Sequence, residues 1–86
     1  MEKNKDPFKT DEPLYDYSIE YDYSHLPREL KEYIAEFEEY DKEGDWFNYD
    51  MIFPAFDVTA KSYWRSGIIT KYDYKTLLMK YGWIYD

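Results

Sequence analysis

Cysteine is missing from the chain. A disulfide framework, a thiolate metal site and a cysteine nucleophile are therefore excluded. Histidine occurs once, at His25, and a transition-metal site is left without its usual ligands. The three glycines, Gly44, Gly67 and Gly82, stand apart from one another, so no glycine-rich loop exists to cradle a phosphate. No run of about 18 apolar residues is present. Met1 to Glu12 is rich in charge and lacks the apolar stretch of a signal peptide. These absences point to a soluble intracellular protein with no cofactor, and against an enzyme.

Aliphatic branching is modest: one Val, five Leu and six Ile in 86 residues. A chain of this length buries only about 60–65% of its unfolded surface, so its core is thin. Twelve Tyr, three Trp and five Phe supply the missing area instead. Tyrosine packs its ring while keeping its hydroxyl wet, so many of these rings are expected half in and half out.

Positive charge is short in one half only. Residues 1–50 hold 16 acids against 6 bases, and residues 51–86 hold 3 acids against 5 bases, for a net charge of −8. Such a balance argues against direct contact with nucleic acid or an anionic membrane, and it suits a basic partner.

The order of elements follows from periodicity and caps. Residues 1–13 read as a flexible polar arm with Pro7 and Pro13, ahead of one small domain over 14–86. Residues 14–23 alternate with period two and read as a strand. Its pairing partner would be the tail 83–86, a second copy, or the face of a helix. Pro27 and Gly44 bracket a helix over about 27–42, with Leu26, Leu30, Tyr33, Ile34, Phe37 and Tyr40 recurring at three and four. Asp45 caps a short helix near 46–52, which Phe53-Pro54 should break. Pro54 then opens another helix to about Ser66, with Phe53, Phe56, Ala60, Tyr63 and Trp64 inward. Asp57, Lys61 and Arg65 would line its outside, the first two as a favourable pair. Thr70 caps a last helix over 71–81, with Asp73 completing an approximate capping box and Tyr74, Leu77, Leu78 and Tyr81 inward. The predicted fold is mainly α, a small three- to four-helix bundle with an extended strand-like N-terminal segment.

Two acidic arrays emerge from this layout. On a wheel at about 100° per residue with Glu29 at zero, Glu32, Glu36, Glu39 and Glu43 fall between about 280° and 360°. The apolar set of the same helix falls between about 20° and 140°. Five carboxylates thus form one ridge bordered by Tyr33 and Tyr40. Like charges at these spacings weaken a helix by a few tenths of a kcal/mol per pair, and a helix tuned for stability alone would interleave lysine. The second array is the stretch YDYSIEYDYS, residues 15–24. As a strand it puts Tyr15 and Tyr17 on one face and Asp16, Glu20 and Asp22 on the other, same-face positions lying about 6.6 Å apart. Carboxylates repeating every few ångströms imitate the phosphate array of DNA, roughly one per 3.4 Å of axis on each strand. The bland alternative is an ordinary solvated helix face, or one neutralised internally by Lys71, Lys75 and Lys80.

Other candidate chemistry is thin. His25 precedes Leu26-Pro27 and reads as a local surface or capping residue. The run DKEGD, 41–45, lacks the sixth-position glycine of a calcium loop and has Ile52 where the terminal glutamate belongs. Acids are plentiful, but nothing marks a pair as a buried acid–base dyad.

The pattern LPRELKEYIAEFEEYDKEGDWFNYD, followed by YWRSGIITKYDYKTLLMKYG, resembles small proteins of phages and mobile elements in Firmicutes, over roughly residues 26–82. In size, acidity and aromatic content the chain is also similar to anti-CRISPR and anti-restriction inhibitors, several families of which mimic DNA. That likeness implies a cytoplasmic inhibitor in a bacterial host, bound to the basic nucleic-acid-binding surface of a defence nuclease. Its contact residues would be Glu29, Glu32, Glu36, Glu39 and Glu43, with Asp16, Glu20 and Asp22 beside them. Tyr15, Tyr17, Tyr33 and Tyr40 would add contact area. A different expectation is a helical adaptor that binds a protein through exposed Trp46, Trp64 or Trp83. A homodimer pairing residues 15–24 across a two-fold is a third.

Overall fold

A computed structural model describes residues 9–82, and they form a bundle of three helices. Helix α1 spans Arg28–Glu43, α2 spans Trp46–Arg65 and α3 spans Lys71–Tyr81. Among the described residues the only β pairing is an isolated bridge between Lys9 and Asp45. The predicted pairing of the tail 83–86 lies outside the described residues, as does any role for Trp83.

Helices α1 and α3 start and stop where their caps predict. The α1 chain reverses at Gly44, whose φ of 69° is left-handed; its N–H donates to the Asp41 carbonyl at 3.0 Å, and the Asp45 N–H donates to the Tyr40 carbonyl at 2.8 Å. Thr70 accepts from the Asp73 N–H, and the Asp73 carboxylate accepts in return from the Thr70 N–H, a full capping box opening α3. Asp45 caps α2 by accepting from the Asn48 backbone N–H at 3.2 Å.

The predicted break at Pro54 does not occur: α2 runs unbroken from Trp46 to Arg65. Proline removes one ladder bond and crowds the carbonyl four residues back, at about 3 kcal/mol. Here Pro54 lies on the exposed side of the helix, where water can serve the freed carbonyl of Asp50. Phe53 and Phe56 flank it and pack into the core, which holds both halves on one axis.

The centre of the core is aromatic, with aliphatic side chains packed around it. Phe37 of α1 sits at its centre, fully buried, with ring centroids 4.5 Å from Tyr49, 5.0 Å from Phe56 and 5.4 Å from Tyr81. Leu30, Ile34, Ala60 and Leu77 fill the remaining space. Tyr49 is buried whole because its hydroxyl donates to the Tyr81 carbonyl at 2.6 Å.

Residues 14–23 form no strand. They cross the bundle as an irregular extended segment, anchored by Leu14 and by the half-buried rings of Tyr15, Tyr21 and Tyr23. Backbone contacts tie it to α3: the Asp16 N–H donates to the Lys80 carbonyl at 2.8 Å, and Lys80 Nζ donates to the Ile19 carbonyl at 2.6 Å. The alternation does not hold one face down: the chain turns at 17–18, where the Ile19 N–H donates to the Asp16 carbonyl at 3.4 Å, and Tyr17 is 59% exposed. Nor does alternation by itself supply the partner that a ladder needs.

Just before this segment, the Thr10 N–H donates to the Gly44 carbonyl at 2.8 Å. A Cβ on Gly44 would lie 2.0 Å from the Thr10 carbonyl oxygen. Gly44→Ala therefore meets two obstacles, a left-handed backbone costing about 1–2 kcal/mol and a steric collision with residue 10. The expected result is a lower melting temperature and faster proteolysis of the chain around residues 9–13, measured by thermal denaturation and timed protease digestion.

Candidate partner-binding face

The five glutamates of the ridge are all exposed on α1. Their steps of three and four residues keep them on one line about 21 Å long. Two of them have weak local partners: Arg28 Nε lies 3.3 Å from Glu32, and Lys42 Nζ lies 3.9 Å from Glu39. Exposed pairs of this kind neutralise little. Glu29 accepts from the Tyr63 hydroxyl of α2 at 3.0 Å. Among the described residues, Lys71, Lys75 and Lys80 form no ion pair with the ridge. Lys80 is committed elsewhere, to backbone carbonyls of Asp16 and Ile19 and to the Tyr15 ring face 5.2 Å away. The predicted internal neutralisation by α3 is therefore absent among the described residues.

Both tyrosines predicted to border the ridge do so half-buried. The Tyr33 ring packs edge-on against Phe56 at 5.7 Å. Glu29, Glu32, Tyr33 and Glu36 line a shallow hollow of about 220 Å³. Tyr40 has its hydroxyl pushed up from the usual range by burial and then by the charges of Glu36, Asp45 and Glu43.

The structure does not bring Asp16, Glu20 and Asp22 beside this ridge. The N-terminal segment docks on the opposite flank of α1. There Asp41 accepts from the Leu14 N–H at 2.7 Å and from the Tyr17 hydroxyl, and Glu38 accepts from Tyr23 at 3.3 Å. On the α1 wheel those two acids lie near 120° and 180°, away from the ridge at about 280–360°. Asp16 and Asp22 are turned onto their own loops, accepting from the Ser18 N–H at 2.9 Å and the Ser24 N–H at 3.0 Å. Local hydrogen bonds to Ser18, and to Ser24, hold both carboxyls below their ordinary range. Glu20 is exposed. The acids of the near-repeat are thus turn-formers, which is why each Asp stands two residues before a Ser.

Tyr15 and Tyr17 are likewise used at home. The Tyr15 ring lies 5.1 Å from Tyr81. Tyr17 is exposed, with its hydroxyl pushed up to about 12 by its bond to Asp41.

His25 does more than cap a helix. Its Nε2 lies 3.0 Å from Asp73, which also accepts from the Tyr21 hydroxyl at 2.6 Å and the Thr70 hydroxyl at 3.0 Å. Burial pushes the Asp73 carboxyl up, yet hydrogen bonds from Tyr21, Thr70 and His25 outweigh it and hold it at about 2. The network clamps the N-terminal segment onto α3. Residues 48 and 52 positions apart meet there, and no spacing in the sequence announces it.

Asp57 also departs from its predicted pairing with Lys61 and instead accepts from the Tyr74 hydroxyl at 2.7 Å. Trp46 and Trp64 are half-buried against the core, and Trp64 stacks on Tyr74 at 5.1 Å. Exposed apolar side chains sit elsewhere on α2, at Met51 and Val58, 64% and 68% exposed. Their spacing of seven was readable in the sequence, but a helix broken at Pro54 would have split them onto separate elements.

Among the described residues no group of His, Cys, Asp and Glu is placed to hold a metal ion, and no helix is long and apolar enough to cross a membrane. Comparison with protein-family models, with curated proteins and with solved structures finds no match.

Proposed function

We propose that the protein is a small acidic inhibitor from a phage or other mobile element. It acts in the bacterial cytoplasm on the basic nucleic-acid-binding surface of a host defence nuclease, for example a CRISPR effector. It blocks DNA access by phosphate mimicry and has no catalytic role of its own. The observation that carries this reading is the ridge itself: Glu29, Glu32, Glu36, Glu39 and Glu43 are exposed, and among the described residues only Glu32 and Glu39 have a cationic partner. Five carboxylates over about 21 Å of helix compare with about six phosphates over the same length of one DNA strand. Retaining such a row costs helix stability, so a helix selected only to fold would not keep it.

The reading differs from the sequence-based one in its contact residues. The ridge, Tyr33 and Tyr40 share one face, whereas Asp16, Glu20, Asp22, Tyr15 and Tyr17 belong to the segment on the far flank, where Tyr15 and Tyr17 contact the bundle and Asp16 and Asp22 bond their own turns. A target that met the whole acidic set at once would have to wrap the bundle.

The test is a nuclease-treated pull-down from host lysate, read by mass spectrometry, with wild type beside a variant carrying Gln at all five ridge positions. The expected result is capture of a DNA-binding nuclease by wild type, loss of capture with the variant, and competition by DNA. Binding should also weaken steeply with added salt, because the attraction is between exposed charges. Equal capture by both proteins would reduce the ridge to a solvated face.

A further inference from the structure

The outer side of α2 carries an apolar stripe that the bundle leaves uncovered. Phe47, Met51, Ala55 and Val58, followed by the polar Ser62, recur at four, four, three and four residues, within an arc of about 80° and over about 22 Å of helix. All five are exposed. Phe47, at one end, rests its ring against Trp46 at 6.1 Å. The middle of the stripe is the open part. Met51 and Val58 expose 64% and 68% of their surface in a protein too small to spare apolar area from its core.

What lies on either side of the stripe decides its occupant. Toward α1, Val58 and Ser62 share a hollow of about 410 Å³ with Glu29, Thr59 and Tyr63. That hollow adjoins the one lined by Glu29, Glu32, Tyr33 and Glu36. The two hollows share Glu29 and make one shallow groove in which Val58, at the edge of the α2 stripe, faces the carboxylates of α1. Beyond Val58 the groove ends at Lys61 and Arg65, so its negative wall is on the α1 side only. A second copy of the chain would bring another acidic ridge and a further net charge of −8 to this groove. A helix with an apolar face and a row of Lys or Arg along one border matches both walls together.

We propose that this groove docks a basic amphipathic helix of the target protein. Its apolar face would lie on Met51, Ala55 and Val58, and its basic border on Glu29, Glu32 and Glu36. The proposal rests on the inhibitor reading for the basic character of the partner and adds which element of the partner is held. Part of the affinity is then apolar and survives salt, unlike pure phosphate mimicry.

The probe is a synthetic 18-residue peptide of leucine and lysine patterned as an amphipathic helix, about 27 Å long when helical. A scrambled peptide of the same composition is its control. Binding is measured by titration calorimetry to wild type, to a Met51→Ser/Val58→Ser double variant and to the five-Gln ridge variant. Both replaced α2 side chains are exposed, and circular dichroism verifies that each variant is folded. The expected result is binding of the patterned peptide, weakened about tenfold or more by scrambling and by either variant. If the α2 variant binds like wild type and only the ridge variant fails, the docking groove is overturned while the inhibitor reading stands. If the α2 variant fails and the ridge variant binds fully, a basic partner is wrong and both readings fall. No binding by the patterned peptide overturns the groove alone. A dimer seen by light scattering and abolished by the α2 variant overturns it too, in favour of a second copy.

Discussion

Phe37→Ala is expected to lower stability by about 3–5 kcal/mol, the range for emptying a fully buried phenylalanine site. The position is unusually exposed to that penalty. Its ring touches Tyr49 and Phe56 of α2 and stacks at 19° on Tyr81 of α3, so one side chain joins all three helices. Those neighbours are large rings held by their own contacts. Tyr49 is fixed by its bond to the Tyr81 carbonyl, and it cannot slide into the gap without giving that bond up. A domain this small has about 5–10 kcal/mol to lose. The variant should show a melting temperature lower by well over 10 °C, weakened near-ultraviolet dichroism, and helical far-ultraviolet signal that persists only at low temperature. A cooperative transition within a few degrees of wild type would mean that the aromatic centre repacks freely, contrary to the close ring geometry.

Asp73→Ala is expected to cost about 3 kcal/mol, combining loss of a helix cap with polar groups left unpartnered. Three donors point at this carboxylate from outside its own helix turn or from its cap: Tyr21, His25 and Thr70. Asp73→Asn keeps the shape and one acceptor oxygen, so it should recover part of the loss. The charged form also gives a pH signature. The folded carboxyl sits at about 2 against 3.8 for an unperturbed one. A depressed value means that the native state favours the ionised group, so its contribution is present above about pH 4 and disappears as pH falls toward about 2. The size of that contribution is about 2 kcal/mol. Wild type should therefore lose stability across this acid window, and Asp73→Asn should lose less over the same window. Urea titrations at pH 5, 4, 3 and 2.5 read the difference. Parallel curves for the two proteins would show that Asp73 is not the group responsible.

Salt and acid act on different parts of this molecule. The ridge is exposed, so added salt screens it with little effect on the fold. Asp73 is buried, and protonation there loosens the N-terminal segment from α3 without touching the ridge. A loss of partner binding in acid would need this distinction drawn before it is assigned to the interface.

Local chemistry was enough to place α1, α3 and the ridge. Pro27, Gly44, Thr70, Asp73 and Gly82 mark helix ends through bonds made within a few residues. A helix once bounded fixes the angular position of every side chain, which is why the row from Glu29 to Glu43 and its tyrosine borders could be named from spacing alone. The aromatic centre of the core followed from the number of rings, although Leu, Ile and Ala make up seven of the twelve buried apolar residues. Whatever depended on distant partners could not be read in that way. Pro54 breaks an isolated helix, but Phe56 buried in the core and Phe53 packed against it keep α2 whole. The alternation over residues 14–23 signals an extended chain, while its neighbours are α3 and the far flank of α1 rather than another strand. Asp16 and Asp22 turn inward onto their own serines for the same reason: the segment bends to follow the helices, and its acids are spent on the bends. His25 and Asp73 meet across 48 residues, and the apolar stripe of α2 exists only because that helix is continuous. Caps and wheel positions are properties of neighbouring residues, whereas pairing, burial and the groove between α1 and α2 arise only when separate stretches of chain compete for the same small core.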